Sequence, residues 1–244
     1  MVPTLSTAAL VLHTVQYKET SVIAKVFTRQ LGVRSYILKG VRKGGSRTKQ
    51  NLLQPLSYLD LVVYNNPKTQ LNYLKEIAPH NSPVPQMPED VSVVAVCNAL
   101  RFFMTELLYK TLREEEPMPE LFDYVVDCAR FAGDGKSLSN HPIFFLLNVS
   151  RYLGIRPLDN YSQHEPLFDL LNGRYCHGGV NTMEPATSQL LHYYLQAVNM
   201  GSSAPQTTLT QRIELINKLL EYFQLHLVEF RNFKSHEILH TVLQ

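Results

Sequence analysis

The sequence predicts an α+β protein in two parts, a five-stranded β-barrel over residues 1–80 and an all-α domain over residues 81–244. Three observations predict it. The first 80 residues hold five short apolar runs of strand character, with no convincing helix between them. Four prolines then fall within the eleven residues Ala78 to Pro88, where neither strand nor helix can continue. Beyond that joint the apolar period lengthens to three and four residues, the spacing of one face of a helix.

The strands come first. Ala8 to Thr14 is one run, and Val22 to Thr28 and Val33 to Lys39 flank a turn at Gln30–Gly32. Leu56 to Tyr64, rich in Leu, Val and Tyr, stops at the turn signal Asn65-Asn66-Pro67, and Leu71 to Ala78 makes the fifth. Closing five strands into a barrel removes the exposed edges of an open sheet.

The helices follow. Val93, Cys97, Leu100, Met104, Leu107 and Leu108 mark a long amphipathic helix that stops before Glu114-Glu115-Glu116-Pro117. Leu121 to Ala132 is a second. A third runs to Leu153 with Asn140 as its cap and Gly154 as its stop; it is apolar on every side and so predicted to be central. Residues 155–183 lose all periodicity and read as an irregular insert. Pro185 opens a helix to about Asn199, and Thr208 to Gln211 has capping-box form. Ile213, Ile216, Leu220, Phe223, Leu227 and Phe230 follow as one stripe.

Charge divides the chain at the same joint. Residues 1–80 hold 11 lysines and arginines against three acids, a net of +8; the remainder holds 12 against 18, a net of −6. Such asymmetry points to an anion-binding first part. The 24 residues Leu31 to Gln54 carry six cations, Arg34, Lys39, Arg42, Lys43, Arg47 and Lys49, and no carboxylate. Gly40, Gly44 and Gly45 interrupt the second half, so the expectation is a strand feeding a glycine-jointed basic loop. Backbone N–H groups can approach phosphates there while lysine and arginine neutralise them. Tyr17, Phe27, Tyr36, Tyr58, Tyr64 and Tyr73 are spread along the barrel strands. Tyr36, on the same strand face as Arg34, is the stacking candidate for a base.

Other patterns dissolve on inspection. His236-Glu237-Ile238-Leu239-His240 fits H-E-x-x-H, yet only four residues follow and no third downstream ligand is available. Gly135-Lys136-Ser137 resembles the end of a phosphate-binding loop, but Arg130 stands where its first glycine belongs. His164, Cys176 and His177 are too few for a closed zinc site. No nucleophile elbow, dinucleotide fingerprint or kinase set is present, so a binding protein rather than an enzyme is expected, with no cofactor and no metal. Three scattered cysteines exclude a disulfide framework. The N-terminus lacks a cationic leader, and no apolar run approaches the ~18 residues of a membrane span. The expectation is a cytoplasmic protein without a membrane partner.

The order Leu10-Val11-Leu12-x-Thr14, Tyr17-x-Glu19-x-Ser21, Val26-Phe27-Thr28, Leu31-Gly32, Lys39-Gly40-Val41-Arg42-Lys43 and Leu53-Gln54-Pro55 resembles the N-terminal barrel of the RecO family. The ending is similar too, with a long helix, Phe233-Lys234-Ser235 and an apolar helical tail. The resemblance implies an oligonucleotide-binding (OB) barrel followed by a helical domain. It implies binding of single- and double-stranded DNA, strand annealing, and partnership with a RecR-type mediator and the single-stranded-DNA-binding protein in recombinase loading. Lys39, Arg42 and Lys43 are the loop residues it carries over; Arg34, Arg47 and Lys49 join them on charge and proximity. Many family members hold a four-cysteine zinc site after the helix that ends here at Gly154. This sequence has Asp159, Tyr161 and Ser162 at the first pair and only Cys176 later, so the insert is expected to be held by packing. The alternative reading is a non-catalytic barrel that grips RNA or an acidic protein tail.

Overall fold

The structure is a computed structural model that describes residues 4–41, 51–64, 69, 71–81, 89–113, 116–130 and 138–242. The chain forms two compact units, Met1–Met87 with Thr105–Ala132, and Pro88–Met104 with Gly133–Gln244.

The first unit is built on a closed barrel. Its strands are β1 (Thr4–Tyr17), β2 (Ser21–Thr28), β3 (Gly32–Leu38), β4 (Tyr58–Tyr64) and β5 (Leu71–Pro79), in the order β1-β2-β3-β5-β4. β1 is twice the expected length because it serves two neighbours. Its first half pairs with β4 and its second with β2, and the register shifts between Val11 and His13. A bulge there bends the strand around the barrel. β3 and β5 close the barrel as a parallel pair. The interior is apolar and made by alternate residues, among them Val11, Val22, Ala24, Val26, Tyr36, Leu38, Leu59, Leu61 and Val63. β4 begins at Tyr58 rather than Leu56, because Leu56 takes a left-handed φ of 56° and donates its N–H to the Val11 carbonyl at 2.9 Å.

Alternation by itself would leave the outer face of β2 wet, yet Phe27 is fully buried. Its ring meets Phe122 at 5.4 Å from α2 (Pro119–Ala129), which belongs to the same unit. Arg29 forks onto both carboxylate oxygens of Asp123 at 2.8 Å. That pairing holds the Asp123 carboxyl below its usual range.

The second unit is helical. It includes the N-terminal part of α1 (Val91–Thr111), α3 (His141–Tyr152), α4 (Pro185–Met200), α5 (Leu209–His226) and α6 (Ser235–Val242). α1 has the length and composition of a membrane span, but Cys97, Leu100, Phe103, Met104, Leu107 and Leu108 along it are buried in the protein, as in a core helix. α3 is the buried helix the sequence predicts, with Ile143, Phe145, Leu146, Leu147 and Val149 essentially inaccessible. Its expected cap is absent: the Asn140 side chain makes no capping bond and instead accepts from the Tyr194 hydroxyl at 2.6 Å. Gly154 does end the helix in a left-handed conformation, φ 73°. Thr208 and Gln211 form the capping box of α5 in both directions. That helix stops at His226, and Phe230, expected as a continuation of its stripe, packs instead from the following turn against Phe223.

The insert is more ordered than its lack of periodicity suggests. A small hairpin, β6 (Leu167–Asp169) with β7 (Arg174–Cys176), lies within it. Asn160 clamps the hairpin by donating to the Tyr175 carbonyl at 3.0 Å and accepting from its N–H at 2.8 Å. Asp159 accepts from Gln196 and pairs with His192 at 2.7 Å. Specific polar bonds, and not packing alone, therefore hold this segment.

Candidate nucleic-acid interface

The two tyrosines with the most exposed rings among the barrel strands are Tyr73 and Tyr64, 48% and 38% accessible. Tyr36 pairs with Asn72 across the parallel seam and both are buried; on the opposite side Ile37 pairs with Tyr73, and there Ile37 is buried while Tyr73 is exposed. Lys39 follows the end of β3, and Lys75 is the extra residue where the β4–β5 register shifts; both are exposed. The Lys39 ammonium sits 4.4 Å from the centroid of the Tyr73 ring, within cation–π range.

These residues surround a groove of about 630 Å³, lined by Ile37, Lys39, Tyr64, Thr69, Leu71, Asn72, Tyr73, Leu74 and Lys75. Among the described residues the lining carries two cations, two phenol rings and the aliphatic Ile37, Leu71 and Leu74, and no carboxylate. Glu76 approaches Lys75 at 3.8 Å, a loose pair between exposed side chains that is screened by water. Asn72 is held by donating to the Thr69 carbonyl and accepting from the Thr69 hydroxyl, both at 2.9 Å. The arrangement offers flat aromatic faces next to positive charge.

Of the predicted site residues, the structure places three. Lys39 stands at the groove. Arg34 is half-buried, and its Nε donates to the Leu31 carbonyl at 3.2 Å across the β2–β3 turn. Tyr36 is a correction. Its ring is 3% exposed in the barrel core, and burial raises its hydroxyl pKa to about 12 against the opposing pull of Arg34. It has no face to give a base, because the side it shares with Arg34 is the inner side of the barrel. Arg42, Lys43, Arg47 and Lys49 lie outside the described residues. Tyr73 was the residue to single out. Parity with a cation could not have told it from Tyr36, which shares its side with Arg34; its 48% exposure is what the structure adds.

Gly135-Lys136-Ser137 lies outside the described residues. His236 and His240 face one another edge-on at 5.4 Å on α6, with burial and His236 holding the His240 imidazole below its ordinary pKa. No group of three or more metal-binding side chains occurs among the described residues. In the insert, His177 is engaged with the His164 carbonyl at 2.9 Å and Cys176 with the Gly178 carbonyl. Asp159 and Asn160 are already spent on the hairpin network. These engaged side chains do not make up a four-cysteine zinc site.

Residues 1–83 match the family described as Recombination protein O N terminal, and residues 98–161 match Recombination protein O C terminal. The chain is 29% identical over 241 residues to the DNA repair protein RecO of Christiangramia forsetii, covering 97% of this chain and 98% of that protein. It is 29% identical over 241 residues to the protein of that name from Phocaeicola vulgatus, covering 96% of each. A Bacteroides fragilis protein, also named DNA repair protein RecO, is 29% identical over 247 residues with the same coverage.

Proposed function

The chain belongs to the RecO family of DNA repair proteins, and from that premise we propose that it is a non-catalytic, cytoplasmic DNA-binding mediator of recombinational repair. It holds single- and double-stranded DNA on the barrel and promotes annealing of complementary strands. With a RecR-type mediator and the single-stranded-DNA-binding protein it helps to load recombinase.

The observation that carries this reading is the outer face of the β3–β5 seam, where Lys39 stands over Tyr73, followed in sequence by the cations Arg42, Lys43, Arg47 and Lys49. Phosphates are bound by charge without regard to sequence, which suits a protein that must act on any damaged site. Annealing follows from the same chemistry. Cations placed between two phosphate backbones lower their repulsion while leaving the pairing edges of the bases free.

A salt titration with the full chain tests it. Engagement of ~4–6 phosphates gives a log–log slope of about −3 to −4 for single strands. Arg42→Glu combined with Lys43→Glu is expected to abolish most binding of every sequence while leaving the melting temperature near normal. A folded double variant that binds as tightly as the parent overturns the assignment. Labelled DNA incubated with Mg²⁺ or Mn²⁺ is expected to stay intact.

A further inference from the structure

We propose that the groove where β3, β4 and β5 meet is a stacking site for unpaired bases, with Tyr73 as its platform, so that this part of the barrel distinguishes single strands from duplex. The inference rests on the DNA-binding reading and adds to it a subsite and a strand preference.

The geometry selects the ligand. Tyr73 and Tyr64 are half-exposed aromatic rings in the lining of a groove that also holds Ile37, Leu71 and Leu74. Its volume of about 630 Å³ falls in the range of sites that enclose small organic groups. Aliphatic side chains and phenol rings in one lining suit a flat, weakly polar ring. The cations set the second requirement. Lys39, 4.4 Å from the Tyr73 centroid, and Lys75 place positive charge beside the ring, where the phosphate attached to a stacked base would lie. A neutral aromatic metabolite would use the rings and make no use of the lysines' charge, and a free phosphate would use the lysines and leave the rings bare. A nucleotide within a strand uses both.

The same features exclude intact duplex from the groove. Paired bases present only their edges, and their faces are covered by neighbouring pairs. To lay a base on Tyr73 the duplex would have to open, at a cost of a few kcal/mol per base. Single strands pay no such cost. Phosphate contacts elsewhere on the barrel remain available to both forms.

The test uses the full chain with a single-stranded oligonucleotide carrying 2-aminopurine, whose fluorescence falls when the base stacks, and with a duplex of the same length. Binding of the parent protein is expected to quench the fluorophore. Tyr73→Ala is expected to remove the quench and weaken single-strand binding on the order of ten- to a hundredfold, with duplex affinity changed less than about twofold. Tyr73→Phe keeps the ring and is expected to behave as the parent. Parent protein that binds the strand without quenching it overturns the inference, whatever the variants do. So does Tyr73→Ala binding single strands and duplex in the parental ratio, in which case the cations alone hold DNA. Failure of the parent to bind any DNA at low salt would instead remove the broader DNA-binding reading.

Discussion

Burial gives several tyrosines a role in stability that pH can reveal. Tyr36 in the barrel and Tyr222 in the helical unit both have hydroxyls pushed up to about 12 by desolvation, and Tyr175 and Tyr194 are raised for the same reason. A group with a higher pKa in the folded than in the unfolded chain binds its proton more tightly when folded. The stability it contributes is complete below the unfolded value near 10 and is lost as pH climbs through about 12. Phenolate absorbance followed from pH 9 upward should therefore show a late group of tyrosines that ionises together with the loss of far-ultraviolet circular dichroism. Ionisation of all 13 tyrosines in one early wave, with the fold intact, would contradict that. Gly32 offers a second residue-level test. It turns the chain between β2 and β3 at φ 66°, and a Cβ there would lie 2.4 Å from the Glu116 carbonyl oxygen. Both the left-handed backbone and the backbone clash penalise a side chain. Gly32→Ala should lower stability by about 2–4 kcal/mol in a denaturant melt.

Among the elements, the insert and α5 depend on local hydrogen bonds that can be removed one at a time. Asn160 satisfies both backbone groups of Tyr175, a residue with no accessible surface. Asn160→Ala leaves a buried donor and acceptor unpaired and should cost about 2 kcal/mol. Thr208→Ala removes the capping box of α5 and should cost about 1 kcal/mol. Ordering the two effects by urea midpoint checks the claim that the hairpin clamp outweighs the cap. Because the clamp is built from an amide and a carboxylate, a chelator should leave the melting temperature where it was. The insert shows how position decides a side chain's use. Here Asp159 binds His192 and Gln196, and Asn160 binds the Tyr175 backbone.

At the scale of the whole molecule, the barrel does not account for its own core. Phe27 lies on the outer face of β2, and its ring is covered by Phe122 from a helix about a hundred residues later in the chain. Tyr58 meets the same ring at 6.1 Å. Phe122→Ala should destabilise the barrel by about 3–5 kcal/mol, read by denaturant melting, even though no strand is altered. The distribution of charge works over the same length scale. The excess of +8 in the first 80 residues, set against −6 in the rest, is a field that favours approach of a polyanion toward one part of the chain.

Much of this was legible from residues in a row. Strand alternation, the proline-rich joint, the capping box at Thr208 and the stop at Gly154 are local chemistry, decided by neighbours a few positions apart, and they marked out the barrel and most helices. The direction in which a face points is not local. Tyr36 and Arg34 share a side of β3 by parity, but only closure of the barrel through β5 makes that side the interior, and the same closure leaves Tyr73 and Lys39 exposed beside one another. Asn140 reads as a cap until Tyr194 claims its oxygen, and the insert has no period because its order comes from side chains that reach across the fold. Sequence by itself determined the barrel strands, most of the helices, their order and the sign of the charge. Tertiary structure alone decided which aromatic rings reach solvent, because burial belongs to the packed whole and is a property of no single strand.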